Sequence, residues 1–342
     1  MDMKIWTPFL LPLALVYGGI TALRNYFFEW EILKSTPTKY KSIGVGNLSV
    51  GGTGKSVFID YLISLFKNQY NLAVLSRGYK RNTTGVVIAN MQSTSETIGD
   101  EPFQFFKKYK GVDVIVSEQR IKGLASIDQL ENQPDILLLD DVMQHRYVKT
   151  HILILTTSYQ SPYYSDQLLP LGRLREPKSG VKRAQIILVT KCPNKMTNEQ
   201  QKKIINKIEP FNYQSVFFTK IDYAEEIINR EKNITLNSLT SAFLLITGIA
   251  NPDPLVSYLK GKKLRFSHLK FSNHHQFSLS EIKKIKAKNS NKFILTTEKD
   301  FGRLESYFKS DVLFYLPISM SFFDNKETKR FQNLLKATLA QD

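Results

Sequence analysis

The chain has 342 residues, enough for two domains of ordinary size or one large α/β domain with an appendage, and its hydrophobic fraction of 42% supports a packed core. A single cysteine, Cys192, excludes a disulfide framework and fits a reducing compartment. The formal net charge of +16 asks for an anionic partner or surface, but no helix-turn-helix, zinc-finger or RNP-type motif is present, so nucleic acid is not the expected partner.

Ile5 to Leu23 carry no charge between Lys4 and Arg24. As a helix they would extend roughly 28 Å, close to the thickness of the bilayer core. Pro8, Pro12 and the Gly18-Gly19 pair argue for a broken or tilted segment, and no small-residue cleavage site of a secretory signal follows. Tyr26, Phe27, Phe28 and Trp30 beside Arg24, Lys34, Lys39 and Lys41 suit a membrane interface. Residues 1–40 therefore read as a membrane-associated segment that either lies in the interface or spans as a single helix, with a buried core helix as the lesser alternative.

Ser42 to Ser56, SIGVGNLSVGGTGKS, reads as a strand, a glycine-rich loop and a helix N-terminus. Backbone N–H groups of Ser49, Val50, Gly51, Gly52, Thr53 and Gly54 can converge on phosphate oxygens, Lys55 can reach the β- and γ-phosphates, and the Ser56 hydroxyl can ligate magnesium. The pattern G-x-x-x-x-G-K-[ST] departs at one place, with Ser49 where glycine is usual. Val57 to Lys67 should form the following helix, Leu72 to Leu75, Val86 to Ala89 and Val112 to Val116 strands, and Phe103 to Lys108 and Arg120 to Leu130 helices. Such alternation implies parallel crossovers and a doubly wound sheet.

Asp135 to Asp141, DILLLDD, is a strand buried on both faces with carboxylates at its C-terminal end, where open α/β sheets place their ligands. Further buried strands are expected at Ile152 to Leu155 and Ile186 to Val189. Between them the loop LLPLGRLREP offers Arg173, Arg175 and Glu176 to phosphate or magnesium. Lys202 to Ile208 reads as a helix and Val216 to Phe218 as a strand, and the P-loop domain is placed at 41–220. A smaller α/β lobe is expected over 221–342, with Ala224 to Leu239 as a connector and Asn273-His274-His275 able to supply a base across a cleft. Strands at Phe243 to Ile249, Leu264 to Phe271, Phe293 to Thr296 and Val312 to Leu316, and a helix at Leu279 to Lys288, complete that lobe. A P-loop GTPase or metallochaperone-like switch is the competing reading, but Thr190-Lys191-Cys192-Pro193 lacks the aspartate of a guanine reader. A membrane-bound binding protein with a vestigial P-loop is a third, against which Lys55, Ser56 and Asp140 stand intact.

GVGNLSVGGTGKS, LSRGY, GDEP, LLLDD followed by QHR, LLPLGRLREP, GIANP, HHQF and TTEKD occur in the order seen in tetraacyldisaccharide 4'-kinases, and from the N-terminal segment to about Leu304 the chain resembles that family. The resemblance implies transfer of the ATP γ-phosphate to the 4'-hydroxyl of a tetraacylated glucosamine disaccharide 1-phosphate in lipid A synthesis, with magnesium, at the cytoplasmic face of the bacterial inner membrane. It also covers Ser49, since that family's loop is similar in lacking the first glycine. By the same resemblance Asp100 and His274 would act together as the base, and Asp140, Asp141 and Glu176 would serve magnesium and phosphate. Arg175 is expected to balance charge on the transferring group. Asn47, Arg77, Arg120, Gln144, His145, Arg146 and Arg173 would face the lipid substrate, and the chain is expected to act as a monomer. Two positions depart from the family pattern: Val142 stands where glycine usually follows the aspartates, and Asn273 where aspartate usually precedes the histidine.

Overall fold

The computed structural model describes residues 3–289 and 293–340. A long helix α1 (Met3–Glu29) and a short strand β1 (Thr36–Pro37) precede β2 (Lys41–Gly46) and α2 (Lys55–Phe66), which flank the glycine-rich turn. Then come β3 (Leu72–Ser76), β4 (Val87–Ile88), α3 (Ser95–Ile98), α4 (Asp100–Lys108), β5 (Val112–Val116), α5 (Arg120–Ile127) and β6 (Ile136–Asp140). β7 (Val148–Lys149), β8 (Ile152–Ser158), β9 (Ile186–Thr190), α6 (Asn198–Ile208) and β10 (Ser215–Tyr223) follow.

These strands build a nine-stranded sheet closed by β17 (Ile318–Phe322), in the order β17-β10-β9-β8-β2-β6-β3-β5-β4. Every inner pairing is parallel, and only the edge strands β4 and β17 run antiparallel. The apolar runs Ile136 to Leu139 and Ile186 to Val189 are buried on both faces, as parallel strands covered by helices must be. On one face α2 packs Phe58, Ile59, Leu62 and Phe66 against Ile43, Val45 and Leu138.

The second sheet runs β12-β11-β16-β15-β13-β14, from β11 (Glu226–Ile228), β12 (Asn233–Thr235), β13 (Phe243–Thr247), β14 (Phe266–Lys270), β15 (Ile294–Thr297) and β16 (Leu313–Leu316). Its helices are α7 (Asp253–Gly261), α8 (Leu279–Asn289) and α9 (Glu298–Leu304). The stretch 224–239 is not a bare connector: β11 and β12 pair antiparallel there, and Ile227 is fully buried beneath Leu236 and Phe314. Strands of three residues are too short to show a period in sequence.

The second lobe ends before the chain does. After β16 the chain returns to the first sheet as β17, and α10 (Asn325–Ala340) lays Phe331, Leu335 and Leu339 onto Phe58 and Phe217. The expected 221–342 lobe thus gives its last segment back to the nucleotide-binding side. Each of those three side chains, fully buried, contributes about 1.5–3 kcal/mol to holding the chain's end there.

Candidate active site

The turn between β2 and α2 is held from two sides. Gly54 caps α2 with φ 86°, a left-handed conformation that a side chain would strain, and this aims the first amides of α2 into the turn. Thr190, at the end of β9, donates its hydroxyl to the Thr53 carbonyl (2.7 Å), and Lys191 Nζ donates to the Gly52 carbonyl (2.6 Å). On the other side the LREP segment runs beside the turn like a short antiparallel strand, with Val50 N bonded to Arg173 O (2.7 Å) and Arg175 N to Leu48 O (2.7 Å). Ser49 therefore pairs with Leu174 through its backbone, a role for which glycine is not needed.

Four groups meet at the mouth of this turn. Arg175 grips Asp141 bidentately, with NH1 to Oδ2 at 2.9 Å and NH2 to Oδ1 at 2.8 Å, and also bonds Asn47. Lys55 Nζ donates to Asn47 Oδ1 at 3.0 Å and lies 3.5 Å from Asp141 Oδ1. Asp141 thus lets two cations sit side by side. Burial alone would raise its pKa, but the Arg175 hydrogen bonds and the charges of Lys55 and Arg175 outweigh that and hold the carboxyl well below the usual range. Asp141 itself has φ 50°, so the two adjacent aspartates project in different directions.

Asp140 points elsewhere. It pairs in register with Val45 of β2, accepts a hydrogen bond from Ser76 Oγ (3.1 Å), and its other oxygen is buried with no partner among the described residues. Burial, and then the neighbouring Asp141, push its pKa up. A buried, unpartnered carboxylate oxygen at the end of the strand beside the phosphate turn, with the Ser56 hydroxyl residue at the start of α2, is a donor set that fits a hard divalent cation. Among the described residues no group of three or more His, Cys, Asp or Glu forms a metal cage.

Glu176 lies in different surroundings from those expected of a metal ligand. It is almost fully buried, accepts from Gln144 Nε2 (2.7 Å) on one oxygen and from Asn25 Nδ2 (3.0 Å) and Arg183 NH2 (2.5 Å) on the other, and so ties α1 to the loop. Tyr17 adds a bond to the Arg175 carbonyl (2.7 Å) and Arg24 one to the Gln144 carbonyl (3.0 Å). The inner stripe of α1 therefore carries Ala14, Tyr17, Gly18, Thr21 and Asn25, small or polar residues at helical spacing, and ends on the buried Phe28. Its outer face leaves Phe9, Leu13, Val16, Ile20 and Leu23 exposed. No helix among the described residues is long and apolar enough to cross a membrane.

The other half of the site comes from both lobes. Asp100 begins α4, and Gly99 before it has φ 91°, where an added Cβ would lie 3.2 Å from Gly78 Cα, so the SRGY turn leaves no room for a side chain at this point of GDEP. From the second lobe, His274, with φ 58°, places Nδ1 2.7 Å from Asp100 Oδ2. The Tyr79 ring stands edge-on at 5.7 Å. Arg303 of α9 bonds Asp100 Oδ1 through Nε (2.9 Å) and Oδ2 through NH2, and Asp300 Oδ1 through NH1 (3.0 Å). Burial raises the Asp100 pKa, but the bonds from His274 and Arg303 bring it down to about 2. Lys299 to Glu101 at 2.5 Å reinforces the junction.

The remaining positions named from sequence separate into exposed and committed groups. Arg77 is exposed. Arg120 is buried and donates to the Ser117 and Asp140 carbonyls (2.6 and 2.7 Å), bracing the end of β6. Arg146 bonds the Asn25 carbonyl (2.9 Å), Arg173 pairs with Asp166 (3.1 Å), and Gln144 joins Asn47 O (3.0 Å) to Glu176. Burial, Arg120 and Arg77 lower the His145 pKa to about 4, leaving a neutral imidazole. Val142 is accommodated because Gly44, the β2 residue beneath it, has no side chain: a Cβ there would lie 2.7 Å from Val142 Cγ1. Asn25, Arg183, Thr190, Lys191 and Arg303 carried no signal in sequence, since what marks them is proximity across folded elements.

The family model for tetraacyldisaccharide-1-P 4'-kinase matches residues 6–340. The chain belongs to this family. It is 45% identical over 321 residues to the tetraacyldisaccharide 4'-kinase of Flavobacterium psychrophilum, covering 93% of each chain. Against the enzyme of the same name from Bacteroides thetaiotaomicron it is 38% identical over 348 residues, covering 95% of this chain and 92% of that one. The fold superposes on LpxK from Aquifex aeolicus, crystallised in complex with ATP, with a TM-score of 0.78 and 26% identity over 99% of this chain and 100% of that one. This membership in a kinase family sets aside the GTPase, metallochaperone and vestigial-loop readings.

Proposed function

We propose that the protein transfers the γ-phosphate of ATP to the 4'-hydroxyl of a tetraacylated glucosamine disaccharide 1-phosphate, a step of lipid A synthesis. The observation that carries this reading is the family match over nearly the whole chain, on a molecule whose Asn47, Lys55, Asp141 and Arg175 meet at one glycine-rich turn.

Phosphoryl transfer asks the protein mainly for alignment and charge neutralisation. With the Val50 and Thr53 amides bonded to the Arg173 and Gly51 carbonyls, the amides of Gly51, Gly52 and residues 54–56 and the Lys55 ammonium would hold the β- and γ-phosphates, and Arg175, fixed by Asp141, would face the equatorial oxygens of the transferring group. Ser56 and Asp140 are the residues that would hold magnesium, which when bound neutralises charge on the phosphate oxygens. Glu176 is assigned to holding α1 and the LREP loop together, and Asp141 to the two cations. With Asp100 ionised and able only to accept, His274 Nδ1–H donates to it and Nε2 is left to take the proton of the attacking hydroxyl. Arg77, exposed beside His145 and Arg120, is the candidate for the substrate's 1-phosphate. The apolar outer face of α1 docks on the membrane surface and brings the acyl chains near, making the protein a peripheral one.

The test is to incubate the purified full chain with ATP, magnesium and the lipid disaccharide, beside GTP and nucleic-acid controls. ATP-dependent appearance of a 4'-phosphate is the expected result. A well-folded protein that leaves the disaccharide unmodified overturns the reading.

A further inference from the structure

We propose that Arg303 is a positioning residue of the transfer reaction: from the second lobe it clamps Asp100 of the first lobe against His274, so that the proton acceptor is assembled only where the two lobes are docked. The inference rests on the kinase reading with His274 as proton acceptor and deepens it.

Three features distinguish Arg303 from a structural arginine that merely fills a junction. The first is its directionality. Its guanidinium is buried and its donors are divided between Asp100, through Nε (2.9 Å) and NH2, and Asp300, through NH1 (3.0 Å), a planar fork that an ammonium cannot reproduce. Secondly, the fork is aimed by a rigid support. Asp300 is itself fully buried, accepts from Gly248 N (2.8 Å) and from the Thr297 hydroxyl (2.7 Å), and Thr297 caps α9. The third is that the same support holds the histidine. The Gly248 carbonyl accepts from His274 N at 3.0 Å, so one residue of the second lobe fixes both the arginine and the imidazole relative to each other.

Arg303 NH2 lies 3.2 Å from His274 Nδ1. Both atoms are donors toward the shared Asp100 Oδ2, which leaves that oxygen no freedom to rotate away. The clamp thereby fixes the Nδ1–H tautomer and points Nε2 outward. As the sugar oxygen bonds to the γ-phosphorus and the bond to the leaving ADP oxygen breaks, the hydroxyl proton passes to Nε2, and Arg303 exchanges no proton in the step. Its part is to keep the acceptor in place, as a supporting residue does for a histidine it does not replace.

The experiment compares Arg303→Lys, Arg303→Gln, His274→Ala and the double variant His274→Ala with Arg303→Lys, all as full chains with MgATP and tetraacyldisaccharide 1-phosphate. Circular dichroism and thermal melts establish that each is folded. Arg303→Lys, which keeps the charge and loses the fork, should lower kcat about tenfold, and Arg303→Gln about a hundredfold, with KM for ATP and lipid within about twofold of the parent. In the His274→Ala background Arg303→Lys should cost nothing further, because the residue it positions is gone. If Arg303→Gln fails to fold, the lysine variant and the double variant decide alone. A folded Arg303→Lys protein with parental kcat, a loss carried by KM, or additive losses in the double variant overturns the proposal while the kinase reading stands. An inactive parent chain overturns the kinase reading itself.

Discussion

The two halves of the site are built in opposite ways. The phosphate side is one continuous strand, turn and helix, from Lys41 to Phe66, braced by segments of its own sheet: Thr190 and Lys191 from the end of β9, and Leu174 and Arg175 from the loop before it. The side built around Asp100 and His274 has no continuous piece of chain at all. Asp100 comes from the first lobe, while His274 and Arg303 come from the second, and the separations of 174 and 203 residues between Asp100 and its two partners measure how much folding must precede the contact. Nucleotide affinity should therefore survive damage at the junction, while turnover should not.

The largest effect should come from the contiguous half. Lys55→Ala removes the ammonium that sits between Asn47 and Asp141, and turnover should fall by about a thousandfold in a folded protein. Undiminished turnover would show that the turn is not a phosphate cradle. On the two-lobe side, His274→Ala should lower kcat by about a hundredfold or more, with ATP affinity by calorimetry unchanged. An equal loss of ATP affinity would mean that the two halves are not separable in the way the structure divides them. A milder probe is Gly248→Ala, whose added Cβ would lie 2.9 Å from Asp300 Oδ1 and push on the support of both Arg303 and His274. Its expected effect is about a tenfold loss of kcat, again without loss of ATP binding.

Smaller effects test the anchoring of α1 to the phosphate side. Asn25→Ala strips one donor from the buried Glu176 carboxylate and should cost about 1–3 kcal/mol of stability in denaturant titrations. A variant as stable as the parent would mean that the α1 contact is dispensable. Smaller still is a pH effect. Because the folded-state pKa of His145 is depressed from 6.5 to about 4, the unfolded chain takes up a proton first as pH falls, so stability is full above about 6.5 and declines from there toward about 4. His145→Gln should flatten that part of the stability curve, and an unchanged slope would place its origin elsewhere.

Local chemistry explains what could be read in advance. GGTGKS marks a turn because glycine and a following lysine have few other uses at that spacing, and DILLLDD marks a buried parallel strand because no solvated element tolerates four such apolar residues in a row. The strands and helices of the doubly wound sheet were legible for the same reason. α10 was legible in principle, with Phe331, Leu335 and Leu339 on one helical stripe, but its destination was not, since an amphipathic face does not say which sheet it covers. Glu176 shows the limit most sharply. A glutamate in a loop of arginine and proline beside a P-loop suits magnesium on composition, yet Asn25, Gln144 and Arg183 converge on it from three other parts of the chain.

The sequence by itself determined the phosphate turn, the parallel sheet that presents it and the family to which the chain belongs, because each is written in residues close together along the backbone. Only the tertiary structure decided which carboxylate keeps an oxygen with no partner among the described residues, that α1 lies against the loop beside the glycine-rich turn, and that an arginine from α9 joins Asp100 to His274. Those outcomes depend on which charges and donors are brought within a few ångströms of one another after hydrophobic packing has set the position of every element, and spacing along the chain carries no record of that distance.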